Sequence, residues 1–198
     1  MNNTSFKIVL ATHNKNKLKE ILNLTKNLSY QFILLSDITN TEAIEDGESF
    51  ESNALIKANF CYNKTKLCSL SEDSGLSIDC LNGAPGIYSK RWAIDDNYEV
   101  AFKKIQKLMQ YSNNFKAKFI STFCLYYSLN EYYFFKGELN GTITFPPRGS
   151  YGFGYDPIFV PNNYNSTLAE ISLEEKNHIS HRTQALNLVF NHLKSYAK

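Results

Sequence analysis

Along the chain, apolar residues recur first at one spacing and then at another, and the changes of period outline an α/β order. Phe6-Lys7-Ile8-Val9-Leu10-Ala11 is β-branched and apolar enough for a buried strand. The run stops at Thr12-His13-Asn14, where Asn14 is suited to cap a helix. Leu18, Ile21, Leu22 and Thr25 follow at three- and four-residue spacing, which predicts that helix and its apolar stripe. Residues 32–35 read as a short strand and complete a βαβ opening. A second helix is predicted after Ser49, with Ala54, Ala58 and Cys61 on one face.

Further on, strands are expected at 68–70 and 76–80, which leaves Glu72-Asp73-Ser74-Gly75 at a strand end. Asn82-Gly83-Ala84-Pro85-Gly86 is a loop. Residues 98–109 read as a helix with Val100, Ile105 and Leu108 as its apolar positions. Two long strands, 115–127 and 132–145, meet near Asn130 as a hairpin. Arg148-Gly149-Ser150-Tyr151-Gly152-Phe153-Gly154 is a glycine-rich loop before a short apolar run at 158–160. The last helix covers 182–196, with Leu186, Val189, Phe190 and Leu193 inward. The expected fold is α/β, with helices flanking a mixed, twisted central sheet.

Composition narrows the class without identifying it. The chain has 198 residues, enough for a sizeable core, and reads as one domain over 1–198, or two intimate lobes. With 43% hydrophobic and 20% charged residues it is neither disordered nor fibrous. No apolar run approaches the roughly 20 residues of a membrane helix. Residues 1–7 lack the basic and apolar regions of a signal peptide, so a cytoplasmic location is expected. Cys61, Cys68, Cys80 and Cys124 form no C-x-x-C pair and read as reduced thiols. A net charge of +2 with no basic run argues against a nucleic-acid partner.

The placement of cations is the first sign of chemistry. A cation at a helix N-terminus is disfavoured by about 0.3–1 kcal/mol. Yet Lys15, Lys17 and Lys19 crowd the start of the first helix, and His181 and Arg182 follow Ser180 at the start of the last. A bound anion explains such placements, because backbone N–H groups, dipole and side-chain cations converge on it. Lys15 and Lys19 read as solvated; Lys17, with Thr12 and Asn14 at a strand–turn–helix, reads as an anion site. The P-loop pattern is absent.

Two acidic segments, Glu45-Asp46-Gly47-Glu48 and Glu72-Asp73, suit Mg²⁺, which takes one or two carboxylates together with substrate phosphates. They read equally well as two solvated turns. Lys57 shares a helix face with Asn53, beside the small Ala54 and Ala58, and either reaches a phosphate or lies along the surface. In Ser150 to Pro157 the glycines free Phe153 to present its ring; stacking on a base contributes about 1–3 kcal/mol. Asp156 can accept from base or ribose, and the alternative is a turn with a buried Phe. Trp92 and Tyr132-Tyr133-Phe134-Phe135 read as core or interface. The four histidines, His13, His178, His181 and His192, do not fall at metal spacing, and no grouping supports a covalent mechanism.

Taken in order, these segments resemble the inosine triphosphate pyrophosphatases. The matching stretches are Ile8 to Asn14 with Lys17, Glu45 to Phe50 with Asn53-Ala54 and Lys57-Ala58, and Glu72 to Leu76. Gly83 to Ser89, Gly152 to Pro157, Ala169-Glu170 with Lys176-Asn177, and Ser180 to Arg182 complete the set across nearly the whole chain. The resemblance implies a two-lobed α/β fold with the site in a cleft, usually as a homodimer. It implies Mg²⁺-dependent hydrolysis of deaminated purine triphosphates (dITP, ITP, XTP) to monophosphate and pyrophosphate.

Carried over by position, Thr12, Asn14 and Lys17 bind the triphosphate with help from Lys57, and Glu45 and Asp73 meet Mg²⁺; His13 either adds a phosphate contact or points outward. Asp73 is the implied general base. Ser74, Phe153, Gly154, Tyr155, Asp156, Lys176, His181 and Arg182 surround the nucleotide. Donors such as His181 or Arg182 suit a 6-oxo group and would be left unpaired by the 6-amino group of ATP. The chain departs from the family at His13, usually glycine, and at Ser52, usually glutamate. Rival readings are a pyrophosphatase for pyrimidine or other modified nucleotides and a non-catalytic nucleotide-binding protein.

Overall fold

A computed structural model of the chain describes residues 6–25 and 30–196. Strand β1 (Lys7–Leu10) leads into helix α1 (Lys15–Thr25) and strand β2 (Gln31–Leu34), and helix α2 (Phe50–Thr65) precedes strand β3 (Ser69–Ile78). A single helical turn, α3 (Ser89–Trp92), comes before helix α4 (Tyr98–Leu108). Strands β4 (Lys116–Ser128) and β5 (Glu131–Ile143) form the expected hairpin. Strand β6 (Phe159–Pro161) and helices α5 (Leu173–Ile179) and α6 (His181–Tyr196) complete the described chain.

The described strands are ordered β2-β1-β3-β4-β5-β6 in one sheet. β1 runs parallel to β2, with Ile8 opposite Phe32, and parallel to β3, with Val9 opposite Ser69. β5 and β6 are antiparallel, so the sheet is mixed, as its pattern of elements predicts. The βαβ opening holds, although β2 ends at Leu34 and Leu35 begins a short 3₁₀ turn.

β3 departs from expectation. Two short strands with an acidic end between them are in fact one strand of 10 residues, and Glu72-Asp73-Ser74-Gly75 lies in its middle. Alternation sets which face each polar group meets. Ser69 donates to the Ala58 carbonyl at 2.8 Å and Ser71 to the Ala54 carbonyl at 2.5 Å, so both hydroxyls dock on α2. Leu70 on the other face packs with Ile8, Leu18 and Ile21. Buried polar groups are tolerated when paired, and here the partners lie far away in sequence.

The chain divides into two compact units. One comprises residues up to Asp73, Thr122–Lys136 and the segment from Ala185; the other comprises Ser74–Ser121 and Gly137–Gln184. The first holds a core of Ile8, Leu10, Leu18, Ile21, Leu70, Phe123 and Leu125 against the α6 residues Leu186, Val189, Phe190 and Leu193, which face inward as expected. The second is built on Leu76, Ile78, Phe102, Ile105, Phe119, Ile158 and Phe159. In α4 the buried stripe is Ala101, Phe102 and Ile105, whereas Val100 and Leu108 are exposed. Leu22 of α1 is likewise on the outer edge of its stripe. Among the described residues no helix is long and apolar enough to cross a membrane.

All four cysteines are free thiols. Burial pushes Cys61, Cys68 and Cys124 up to about 12, so none is a nucleophile at neutral pH.

Candidate active site

The turn after β1 is built around Asn14. Its Oδ1 accepts from the N–H groups of Asn16 and Lys17 at 3.1 Å each, which caps α1 as expected. Thr12 Oγ1 accepts from the Asn14 N–H at 3.2 Å. Lys15 and Lys19 are exposed, in keeping with the solvated reading, while Lys17 is half-buried. The Lys17 ammonium stands 3.3 Å from Glu72 Oε2, on a side chain with no exposed surface. His13 turns its ring to the 39–42 segment: Nε2 donates to the Thr39 carbonyl at 2.9 Å, and Nδ1 lies 3.7 Å from the Glu42 carboxylate. A carbonyl only accepts, so that bond puts the proton on Nε2.

Asp73 follows Glu72 in β3 and so points to the opposite face, toward α2. Lys57 donates to Asp73 Oδ1 at 2.9 Å and stands 3.1 Å from Glu45 Oε2. Asn53, one helical turn earlier, donates from Nδ2 to Asp73 Oδ2 at 3.4 Å. The helix is held at its start by Ser49 and Ser52 in a reciprocal capping box. Ser52 Oγ accepts from the Ser49 N–H at 2.9 Å, so the hydroxyl performs the capping that glutamate performs at this position.

Burial pushes the Asp73 carboxyl above the ordinary aspartate value; the charges of Lys57 and Lys17 oppose this without cancelling it. Burial also works against the Lys57 ammonium, but Asp73 and then Glu45 outweigh it and hold its pKa above the ordinary lysine value. The result is a permanent cation beside a carboxylate that binds a proton more readily than an exposed one. Such tuning marks functional sites.

The donor set also answers whether Mg²⁺ fits. Among the described residues there is no cluster of three or more His, Cys, Asp or Glu side chains able to cage a metal. Instead two carboxylates, Glu45 and Asp73, converge on one cation, the Lys57 ammonium. Two carboxylates with open positions left for phosphates are what Mg²⁺ takes in nucleotide sites. The residues fit the ion.

The second unit carries its own constellation. Gly152 and Gly154 adopt φ of 74° and 70° and shape the loop that presents Phe153. A Cβ at Gly152 would collide with the Asp156 carboxylate. Asp156 Oδ2 accepts from the Phe153 N–H at 2.8 Å and from Lys176 at 2.6 Å, with both charged side chains almost wholly buried. Lys176 Nζ lies 4.8 Å, and the Arg182 guanidinium 5.9 Å, from the centroid of the Phe153 ring. Arg182 Nη2 donates to Ser74 Oγ at 3.3 Å. The His181 ring stacks on Phe119, with centroids 4.9 Å apart and planes 10° apart. Ser180 caps α6 by accepting from the Thr183 N–H.

Tyr155 does not join this group. It is buried, its hydroxyl donates to the Ser89 carbonyl at 2.7 Å, and its ring packs edge-on against Tyr98. Asp156, expected to accept from base or ribose, spends Oδ2 on holding the Phe153 backbone and Lys176.

The structure therefore gathers Thr12, Asn14 and Lys17 at the start of α1, and Glu45, Lys57 and Asp73 around α2. It gathers Ser74, Phe153, Asp156, Lys176 and Arg182 in the second unit. Sequence reasoning missed the charge pairing of Glu72, the tether of Asn53 and the stacking of Phe119. The adjacent acids in an otherwise small and apolar strand were the available signal, since buried charges need partners.

A model of the Ham1 family matches residues 8–192. The dITP/XTP pyrophosphatase of Geobacter sulfurreducens is 41% identical over 192 residues, 94% of this chain and 96% of that protein. The dITP/XTP pyrophosphatase of Bartonella quintana is 38% identical over 206 residues, 96% of each. Among solved structures, a HAM1 protein from Coxiella burnetii aligns with a TM-score of 0.90 at 35% identity, covering 96% of this chain and 99% of that one. The Ham1 protein of Staphylococcus aureus aligns with a TM-score of 0.87 at 32% identity and the same coverage.

Proposed function

The chain belongs to the Ham1 family, and from that premise we propose that it hydrolyses deaminated purine nucleoside triphosphates (dITP, ITP and XTP) to the monophosphate and pyrophosphate. The observation that carries the reading is the convergence of Glu45, Lys57 and Asp73, with Asp73 buried and its pKa raised. Relatives named dITP/XTP pyrophosphatase, matching almost end to end, support the substrate class.

Glu45 and Asp73 would hold Mg²⁺, which would supply neutralisation of phosphate charge. Asp73 orients a water and takes its proton as the oxygen bonds to the α-phosphorus. The bond from that phosphorus to the bridging oxygen breaks, and pyrophosphate leaves with the electron pair. Lys17 and Lys57 spread the charge that develops on the departing oxygens. Catalysis of this kind is positioning and electrostatics. The second unit offers Phe153 as a stacking surface for a base, and His181 or Arg182 as donors suited to a 6-oxo acceptor. A site built to donate at that position leaves its donors unpaired against a 6-amino base.

A substrate panel of dITP, XTP, dGTP, dATP and dTTP, with pyrophosphate and orthophosphate assayed separately and with or without EDTA, tests the reading. Selective, EDTA-sensitive pyrophosphate release from dITP and XTP supports it, and turnover of dTTP in preference to both overturns it. A homodimer in the cytoplasm belongs to the same reading; sedimentation equilibrium checks the first and cell fractionation the second.

A further inference from the structure

One face of α2 addresses both oxygens of the Asp73 carboxylate. Lys57 donates to Oδ1 and Asn53, four residues earlier, to Oδ2. The two contacts differ in kind. Lys57 contributes a charge on a flexible stem, whereas the Asn53 amide is planar, short and only 1% exposed. Its other end is also used: Oδ1 accepts from the Gly47 N–H at 2.9 Å. That bond settles the orientation of the amide, because only its oxygen can accept, and so directs the NH₂ group at Asp73.

Gly47 is pressed tightly onto the helix at this point. A Cβ there would lie 2.7 Å from Asn53 Oδ1 and 3.0 Å from the Asn53 backbone nitrogen. Glu45 is two residues away on the same segment. The Gly47 backbone therefore reaches Asp73 through two hydrogen bonds of a single amide. The Asn53 N–H in turn bonds the Ser49 carbonyl at 3.0 Å in the capped first turn of α2, so the amide is mounted on a rigid element.

We infer that Asn53 is a positioning residue, which fixes the Glu45 segment and the Asp73 carboxylate in register for the reaction. The inference rests on the pyrophosphatase reading above and adds a residue to it. None of three substitutions replaces it. Aspartate keeps the oxygen for Gly47 but turns a second oxygen toward Asp73; alanine leaves both partners unmet; glutamine displaces the amide by one methylene. A misplacement of about 1 Å at reacting groups lowers turnover on the order of 100-fold.

The test compares wild type, Asn53→Ala and Asn53→Asp. It uses pyrophosphate release from dITP with Mg²⁺, and the thermal shift produced by an α,β-imido analogue of dITP with Mg²⁺. The expected result for Asn53→Ala is a fall in kcat of about 30- to 100-fold. KM and the analogue's thermal shift stay close to wild type, since the phosphate- and base-binding groups are untouched. Where the alanine variant fails to fold, Asn53→Asp, which keeps the volume and the acceptor for Gly47, carries the test: it stays folded at the assay temperature and loses kcat. Retention of wild-type kcat by either folded variant overturns the inference. So does a loss confined to KM, or one that merely follows the fraction unfolded. Wild type that releases no pyrophosphate fails the underlying reading instead, which keeps the two failures apart.

Discussion

Lys57 Nζ lies 2.9 Å from Asp73 Oδ1, and in the same position it is 3.1 Å from Glu45 Oε2. Both Lys57 and Asp73 are largely buried. Two carboxylates brought this close repel unless a cation stands between them, and Lys57 is that cation. Its removal breaks a buried pair, for which the usual cost is about 3–5 kcal/mol. Lys57→Met should therefore lower the melting temperature markedly in EDTA and much less with Mg²⁺ present, because a divalent cation can hold the same two carboxylates. Differential scanning calorimetry in the two conditions reads this directly; equal losses in both would sever the link between Lys57 and the proposed Mg²⁺ site.

Asp73 should set the acid limb of the pH–rate profile. Its folded pKa lies above that of an unfolded aspartate, about 3.9, chiefly because of burial. The folded state thus binds this proton more tightly than the unfolded chain. Asp73's own contribution to stability is greatest below the unfolded value and is lost as pH rises through the folded one. Activity runs the other way, since only the ionised carboxylate takes a proton from water. kcat/KM should rise with pH along an acid limb set by the Asp73 carboxylate, while Lys57 stays charged through neutrality. A profile flat down to pH of about 4 would remove Asp73 from the role.

Phe153 should matter for binding more than for chemistry. Its ring is presented by two left-handed glycines and flanked by Lys176 and Arg182. Loss of base stacking costs about 1–3 kcal/mol, or roughly 5- to 150-fold in affinity. Phe153→Ala should raise KM for dITP by such a factor with little change in kcat, measured by steady-state kinetics. Gly152→Ala should act similarly without touching the ring, because its Cβ collides with the carboxylate that holds the Phe153 N–H.

Ser52 should prove to be a helix cap. The reciprocal bonds with Ser49 mean that Ser52→Ala loses about 1 kcal/mol of stability. Ser52→Glu should retain it, because glutamate closes the same capping box. Urea unfolding of the two variants distinguishes them, and a glutamate variant as unstable as the alanine one would contradict the assignment.

The parts of this molecule legible in its sequence were those decided locally. β1, the Asn14 cap, α2 with its buried Ala54, Ala58 and Cys61, and the inward face of α6 follow from spacing and capping chemistry alone. β3 was misread because Glu72 and Asp73 look like a turn. What allows them mid-strand is Lys17 on one face and Lys57 on the other, the latter 16 residues away. α4 was rotated in the reading, since Val100 and Leu108 are as apolar as the residues that are buried. α5 was missed because its seven residues, LEEKNHI, carry no apolar stripe. In the site, residue types pointed to Asp73, Lys57 and Phe153, but nothing local separates Tyr155, which serves the core, from its neighbours. The amide of Asn53 gained its meaning only when Gly47 and Asp73 were found at its two ends.

The central claim is that water, activated at Asp73, attacks the α-phosphorus. Hydrolysis of dITP in ¹⁸O-labelled water, followed by mass spectrometry of both products, tests it most directly. The account predicts label in the nucleoside monophosphate and none in the pyrophosphate, at a rate that falls by about 10²- to 10⁴-fold in Asp73→Asn. Label in the pyrophosphate, or an Asp73→Asn variant that turns over normally with saturating Mg²⁺, would contradict it.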